Sequence, residues 1–172
     1  MPDEPLSSPR AYETYIYGLG ERHSSIQRST LVYIPSGALF GRVEGMILFE
    51  DQVVLCVQEY LNFELGVIEG YGYEVSRARI PPDVPNAPGA AEYCRASYPH
   101  KEKLYWYDSF PHPKDTTLAS TDPHHKHIPP DIKHHRIVAP DLTFARPNLS
   151  FVIKEIEREI LLLDYPSPRA AA

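Results

Sequence analysis

The chain lacks any apolar run of the ~18 residues that a membrane-spanning helix requires. Its first residues, MPDEPLSSPR, are acidic and contain prolines, and they include no apolar region of the kind found in secretion signals. Both absences argue against a membrane protein and against export. We therefore expect a cytoplasmic protein.

Cysteine is scarce as well, since Cys56 and Cys94 are the two cysteines of the 172-residue sequence. No CxxC or HExxH motif is present, which removes the commonest sequence signatures of zinc proteins. Cys56 lies within the apolar run VVLCV and is interpreted as a small buried side chain. Because disulfides are rare in a reducing cytosol, we do not expect the two cysteines to be joined.

Net positive charge is also lacking, because the formal net charge is -6 and the pI is near 5.7. General nucleic-acid binders need clustered cations to contact the phosphate backbone, so this composition argues against a large positively charged binding surface. The stretch from residue 121 to 136 departs from the overall balance, with more basic than acidic residues. A local anion site is therefore allowed there.

The rest of the composition is that of an ordinary globular protein. Apolar residues make up 42% of the chain and charged residues 23%, and a chain of this length buries about 70% of its unfolded surface. We predict a single domain over residues 1–164, with a mobile insertion at about 80–100 and a disordered tail at 165–172. The insertion is proline-rich and shows no steady period, which is typical of a functional or dispensable loop.

Hydrophobic periodicity predicts a helix at each end of the chain. Ser8 can cap the first helix and Pro9 suits its first turn. Its apolar stripe consists of Tyr12, Tyr15, Ile16 and Leu19. Asn148 is expected to cap the last helix, and intervening charged residues such as Glu155 and Glu157 are assigned to its solvent side. The apolar stripe of this helix consists of Leu149, Val152, Ile153, Ile156, Ile160 and Leu163.

Between the helices the apolar period changes to two, which indicates β-strands. The segments with this period are 29–34, 40–49, 53–63, 66–75 and 103–109. Most connections between them are too short for helices, so neighbouring strands are expected to pair antiparallel. The prediction is an α+β fold, in which an antiparallel sheet of about five to six strands carries the N- and C-terminal helices on one face. Residues 110–147 are predicted to be an irregular, histidine-rich loop.

Histidine is concentrated in the stretch TDPHHKHIPPDIKHHR, which holds five of the eight histidines. One interpretation is a zinc site, since a loop can supply three or four ligands. Another is acid–base chemistry, because histidine exchanges protons near neutral pH. On an extended backbone His125 and His127 would lie on one side and Lys126 on the other, whereas a turn would bring them together. A solvated loop without chemistry is favoured for His134 and His135 taken singly.

Tyrosines and one carboxylate of the strands are further candidates. Alternation places Tyr71 with Tyr73 on one face of a strand, and Tyr105 with Tyr107 on one face of another. If these strands pair, the tyrosines form either a stacking platform for bases or cross-strand pairs of the core, and the core is the commoner case. Glu59 shares a strand face with apolar residues, where a carboxylate is costly unless it has a partner or a role.

An ordered series of short motifs runs through the chain: a strand that ends in Glu59, then Tyr71-Gly72-Tyr73, then Tyr105-Trp106-Tyr107-Asp108 with Pro111-His112, then Pro123-His124-His125-Lys126-His127 and a closing helix. In this order the motifs resemble the TumE-type toxins of prokaryotic toxin–antitoxin pairs, a family long classed as a domain of unknown function. The resemblance covers most of the chain, roughly from Val53 to the last helix. The family usually has an arginine before the Tyr-Asp pair, where this chain has Trp106. If that arginine holds a phosphate, its role in this chain is vacant or passes to Arg136, Lys126 or Arg95.

The resemblance implies a small toxin that acts on RNA and is neutralised by a cognate helix-turn-helix antitoxin. Our first hypothesis is a metal-independent endoribonuclease without a cofactor, in which His125 and His127 are the acid–base pair and Lys126 stabilises charge. Further catalytic candidates are Tyr107, Asp108 and His112, and substrate-binding candidates are Tyr71, Tyr73, Glu59, His124 and Arg136. The alternatives are a non-catalytic protein- or nucleic-acid-binding module and a zinc-binding domain built from the same histidines. Assembly into a homodimer is left open.

Overall fold

The computed structural model describes residues 4–162. The helices are α1 (Pro9–Tyr17), α2 (Leu19–Arg22), α3 (Ala90–Tyr93) and α4 (Leu149–Glu159). The strands are β1 (Arg28–Ser29), β2 (Val32–Pro35), β3 (Phe40–Leu48), β4 (Val53–Asn62), β5 (Val67–Ala78), β6 (Lys101–Asp108), β7 (His125–His127) and β8 (Arg136–Val138). No helix in this part of the chain has the length and apolar character needed to cross a membrane. The predicted tail at 165–172 and Leu163 lie outside the described residues.

All eight strands belong to one antiparallel sheet. Its order is β1-β3-β4-β5-β6-β7-β8, and β2 pairs with β3. The α+β class and the antiparallel pairing are confirmed, whereas the predicted number of five to six strands is too low. The strands β7 and β8 have three residues each, which is too short for a period of two to be recognised in a sequence.

The helices α1 and α4 pack on the same face of the sheet, as the sequence predicts. The Ser8 hydroxyl accepts a hydrogen bond from the backbone N–H of Ala11 at 3.1 Å and begins α1. Tyr12 of α1 and Ile156 of α4 belong to one core with the apolar side chains of β3 to β6. Burying an aliphatic side chain of this kind stabilises the fold by about 1.5–3 kcal/mol. We call this covered face of the sheet the inner face.

The other face of the sheet, called the outer face, carries polar side chains in rows. Residues directly opposite each other on paired strands project to the same face. One row consists of Gln58, Gly72, Asp108 and His125. The next row consists of Glu74, Trp106, His127 and Arg136. Strand register therefore gathers residues from four distant parts of the sequence.

The segment between β5 and β6 covers part of the outer face. Tyr93 of α3 is buried against β3 and β4, and a disulfide joins Cys94 to Cys56 across a Cα–Cα distance of 5.7 Å. The expectation that the cysteines stay apart is therefore wrong, because α3 lies directly over Cys56 of β4. Within this segment, residues 81–89 have no buried side chain, and their mobility stays a prediction.

Two residues that the sequence assigns to the solvent side of α4 are buried. Glu155 is 7% exposed and Glu157 is 3% exposed. Glu157 accepts a hydrogen bond from the Ser25 hydroxyl at 2.5 Å. Asn148 precedes α4 as predicted, but its side chain bonds to the backbone of Thr143 instead of capping the helix. A buried carboxylate needs hydrogen-bond partners, and those of Glu155 and Glu157 come from segments distant in sequence. The periodicity of the helix does not reveal them.

Candidate active site

Asp108, the last residue of β6, lies at the centre of a polar cluster on the outer face. Its Oδ1 is 2.7 Å from Nε2 of His125, and its Oδ2 is 3.3 Å from Nε2 of His127. The backbone N–H of Phe110 also donates to Oδ1 at 3.1 Å, and the indole N–H of Trp106 donates to Oδ2 at 3.1 Å. The carboxylate is thus held from several sides and connects two imidazoles.

The local backbone explains why these two histidines meet. His125, Lys126 and His127 form β7, so the extended alternative is the one that the structure adopts and an irregular loop is wrong at this point. Alternation along the strand sends His125 and His127 to the outer face. Pairing with β6 then places Asp108 opposite His125 and Trp106 opposite His127.

His127 is held in a defined orientation. Its ring stacks on Trp106, with the ring centroids 4.2 Å apart and the planes at 21°. Its Nδ1 lies 3.0 Å from the carbonyl oxygen of Ile132, so this nitrogen carries the proton and Nε2 holds the lone pair of the neutral ring. Burial lowers the pKa of His127, and the charge of Asp108 only partly offsets this effect. A neutral imidazole is suited to accept a proton at Nε2, where Oδ2 of Asp108 lies 3.3 Å away.

His125 is completely buried. It donates its Nε2 proton to the ionised Asp108, and its Nδ1 has no hydrogen-bond partner among the described residues. Burial alone would raise the pKa of Asp108, but His125, Phe110 and His127 together outweigh burial and lower that pKa. His125 therefore helps to keep the carboxylate ionised.

Arg136 of β8 is the cation nearest to this cluster. Its Nη1 lies 3.3 Å from Nε2 of His125. Its Nη2 donates to the Asp122 carboxylate at 3.0 Å and to the carbonyl oxygen of Leu118 at 2.9 Å. Arg136 thus ties the segment before β7 to the edge of the sheet and places positive charge behind His125.

His112 approaches the cluster from the loop after β6 and is exposed to solvent. Its ring centroid lies 6.1 Å from that of His125. One nitrogen each of His112 and His125 and one oxygen of Asp108 all lie within 4.8 Å of one another. Two imidazoles and a carboxylate are a donor set that zinc and other divalent metals accept. These three residues could therefore hold a metal ion.

Lys126 is not brought to the cluster, because it projects to the inner face. Its Nζ lies 3.1 Å from Oε1 of Glu155 and 4.1 Å from the ring centroid of Tyr105. The predicted catalytic candidate Tyr107 lies on the same side and donates its hydroxyl proton to Glu155 Oε2 at 2.7 Å. The sheet thus separates these two candidates from His125 and His127. Glu155, which sequence reasoning missed, is the residue that binds both.

The predicted substrate-binding residues Tyr71, Tyr73, Glu59 and His124 also lie on the inner face. The Tyr71 hydroxyl is 2.7 Å from His124 Nδ1, and the Tyr73 hydroxyl donates to Glu59 at 2.6 Å. Tyr71 and Tyr73 are buried, so they form part of the core and not an exposed stacking platform. Glu59 has the partners that a buried carboxylate needs, since Tyr12 also donates to it at 2.6 Å. Burial raises the pKa of Glu59, and the two tyrosine hydrogen bonds oppose the rise.

Sequence reasoning treated Trp106 as a departure from a family pattern and gave it no role. In the structure its indole supports His127 and hydrogen-bonds Asp108. Strand alternation places Trp106 and Asp108 on one face, so the signal for this pairing was present in the sequence.

Comparison with known proteins gives one finding. A protein-family model described as "Toxin TumE" matches residues 17–160, which is most of the chain. No curated protein and no solved structure matches. The matched residues include the whole sheet and all of α4, and with them every member of the cluster around Asp108.

Proposed function

The chain belongs to the TumE toxin family, and we propose that it is a metal-independent endoribonuclease whose chemistry is carried out by the histidines around Asp108. Family membership makes the chain a toxin component of a toxin–antitoxin system and implies an antitoxin partner. The observation that carries the nuclease proposal is the Asp108 carboxylate, which lies 2.7 Å from one imidazole and 3.3 Å from another.

Metal-free RNA cleavage needs a base that removes the proton of the ribose 2′-hydroxyl. His127 suits this role, because Ile132 holds its Nδ1 proton and the lone pair on its Nε2, which lies beside Oδ2 of Asp108, can accept a proton. The activated 2′-oxygen attacks the adjacent phosphorus, and the bond to the 5′-oxygen of the next nucleotide breaks. Asp108 stabilises the imidazolium that forms, since its Oδ2 faces Nε2 of His127.

The departing 5′-oxygen needs a proton, and His112 is placed to supply it. His112 is exposed, whereas His125 is completely buried and bonded to Asp108. We therefore assign the acid–base pair to His127 and His112, instead of His127 and His125, and give His125 the role of positioning Asp108. Arg136 supplies positive charge to this face in place of Lys126, which the sheet separates from the cluster.

The remaining expectations about partners keep the status of predictions. A helix-turn-helix antitoxin, RNA as the substrate, a homodimer and a cytoplasmic location follow from the sequence and from the resemblance. The antitoxin would neutralise the toxin by covering the outer face or by distorting the Asp108 cluster. Copurification of the chain with the product of an adjacent gene would identify it.

The decisive experiment uses an oligodeoxynucleotide with a single ribonucleotide, in buffer that contains EDTA. We expect a cut on the 3′ side of the ribonucleotide, with a 2′,3′-cyclic phosphate on one product. His127→Ala should abolish the cut, and His134→Ala is the matched control, because His134 is exposed and bonded only to Asp131 among the described residues. An intact oligonucleotide at high protein concentration would favour the non-catalytic binding module.

A metal-dependent activity is the second candidate, and the donor set of Asp108, His112 and His125 favours it. A metal ion bound there would supply a Lewis acid and lower the pKa of a bound water. Activity that is lost in EDTA and restored by added zinc would replace the acid–base assignment. In that case His112→Ala should weaken metal binding, while His134→Ala should leave it unchanged.

A further inference from the structure

A groove of about 530 Å³ crosses the outer face next to the candidate active site. Gln58 of β4, Gly72 of β5 and Trp106 of β6 line it along the sheet, and Arg95 lines it on the side of α3. Trp106 also stacks on His127. The groove therefore lies next to the candidate active site, and Trp106 is the residue that borders both.

Gly72 leaves the middle of the groove open. A Cβ atom placed on Gly72 would meet no atom within 4 Å. Glycine weakens a strand and often marks a place where a ligand approaches the backbone. Gly72 lies in register between Gln58 and Asp108, and two strand spacings separate these residues by roughly 10 Å. A ligand above Gly72 would thus lie one strand spacing, roughly 5 Å, from Asp108.

The groove contains two polar side chains that are free to bind a ligand. The amide of Gln58 and the guanidinium of Arg95 have no hydrogen bond or ion pair within the described part of the chain. The nearby Glu74, by contrast, is bound by Lys101 and Lys103. A free amide offers a donor and an acceptor to the edge of a base, and a guanidinium matches a phosphate.

We propose that this groove binds one nucleotide of single-stranded RNA, adjacent to the nucleotide that is cleaved. Its base lies over Gly72 and hydrogen-bonds to Gln58, and its phosphate pairs with Arg95. The volume falls in the range of small-ligand sites. Because α3 forms one wall, a base enters only when it is unpaired, as in single-stranded RNA. The proposal rests on the proposed function in that RNA is the substrate.

The disulfide gives the groove a fixed wall. Cys56 lies in the floor, and Cys94 immediately precedes Arg95. The covalent bond therefore fixes the backbone next to Arg95 on this wall of the groove. Breaking this bond should weaken RNA binding without any change to the histidine cluster.

The test measures binding apart from cleavage. Fluorescence anisotropy would follow a short labelled 2′-O-methyl oligoribonucleotide, which cannot be cut because its 2′-oxygen is blocked. Gly72→Val fills the groove with a residue that favours strands, and should weaken binding about tenfold or more, the loss expected for one base contact. Gly20→Ala is the control, because its added Cβ also meets no atom within 4 Å and Gly20 does not line the groove.

Gln58→Ala and Arg95→Ala test the proposal even if Gly72→Val fails to fold. Both side chains are exposed, so these two variants are expected to fold. Each should weaken binding several-fold and raise KM more than it lowers kcat. Unchanged affinity in these variants, or no binding by the wild-type chain, would overturn the groove proposal. Binding that depends on Gly72, Gln58 and Arg95 without any cleavage would support the groove and reject the nuclease.

Discussion

The Asp108 carboxylate lies 3.3 Å from Nε2 of His127, on the side of the ring opposite to the Ile132 carbonyl that holds Nδ1. This arrangement gives the imidazole an acceptor on each side, so both nitrogens are satisfied when the ring is protonated. Burial works against that charged form and lowers the pKa of His127. The neutral ring is therefore ready to accept a proton, and the proton has a stabilising partner once it has been transferred.

The first prediction concerns the pH dependence of cleavage. Because His127 must be neutral to act as the base and its pKa is lowered, kcat/KM should rise with pH through a pKa below the ordinary histidine value of about 6.5. Asp108→Asn removes the charge that opposes the lowering, so it should move this limb to still lower pH and reduce the maximum rate. The measurement is the pH profile of kcat/KM with the single-ribonucleotide substrate. An acidic limb above 6.5 would reject His127 as the base.

The second prediction concerns Lys126, which the sequence placed among the catalytic candidates. Lys126→Met removes the ion pair with Glu155, while the hydrogen bond from Tyr107 to that carboxylate remains. The free energy of unfolding should fall by about 1–3 kcal/mol, whereas cleavage per folded molecule should stay unchanged. Denaturant unfolding and the cleavage assay measure the two effects. Lys133→Met is the exposed control, and a loss of kcat in folded Lys126→Met would restore a catalytic role.

The third prediction concerns the disulfide, which closes a sequence separation of 38 residues. Constraint of the unfolded chain by a loop of this length stabilises the fold by about 3–4 kcal/mol in the chain-entropy account. Cys94→Ser should therefore lower the melting temperature and weaken binding of the uncleavable oligonucleotide. A reducing agent should have the same effect on the wild-type chain and no further effect on Cys94→Ser. Equal stability of oxidised and reduced wild type would contradict this role.

Local patterns in the sequence predicted much of this fold. The Ser8 cap, the described residues of the two apolar helix stripes and the period-two segments 40–49, 53–63, 66–75 and 103–109 reflect interactions between near neighbours, and they are seen in the structure. The segment 29–34 is wrong as a single strand, because β1 ends at Ser29 and β2 begins at Val32. Glu59 was also recognised, because a carboxylate on an apolar strand face needs a partner wherever that partner comes from. Its partners, Tyr12 and Tyr73, are set by tertiary packing and could not be predicted from the sequence.

The candidate site was predicted in part for the same reason. Alternation along an extended backbone predicted that His125 and His127 would lie on the opposite side of the strand from Lys126. No feature of the neighbouring sequence decided between a strand and a turn. That decision comes from pairing with β6, which is a long-range interaction. The burial of Glu155 and the contact of Cys94 with Cys56 depend likewise on elements that are distant in sequence.

The last prediction concerns toxicity in cells. Expressed without an antitoxin, the chain should slow growth, and both His127→Ala and His112→Ala should relieve this effect. Proton transfer contributes typically about 10²–10⁴-fold in rate, so loss of the base or the acid removes most of the activity. His134→Ala makes the same chemical change in a side chain that is 72% exposed, and it should remain as toxic as the wild type. Growth curves at matched expression levels, with circular dichroism of each purified variant, are the measurements. If folded His127→Ala arrests growth as strongly as His134→Ala, the Asp108 cluster does not carry the toxic activity.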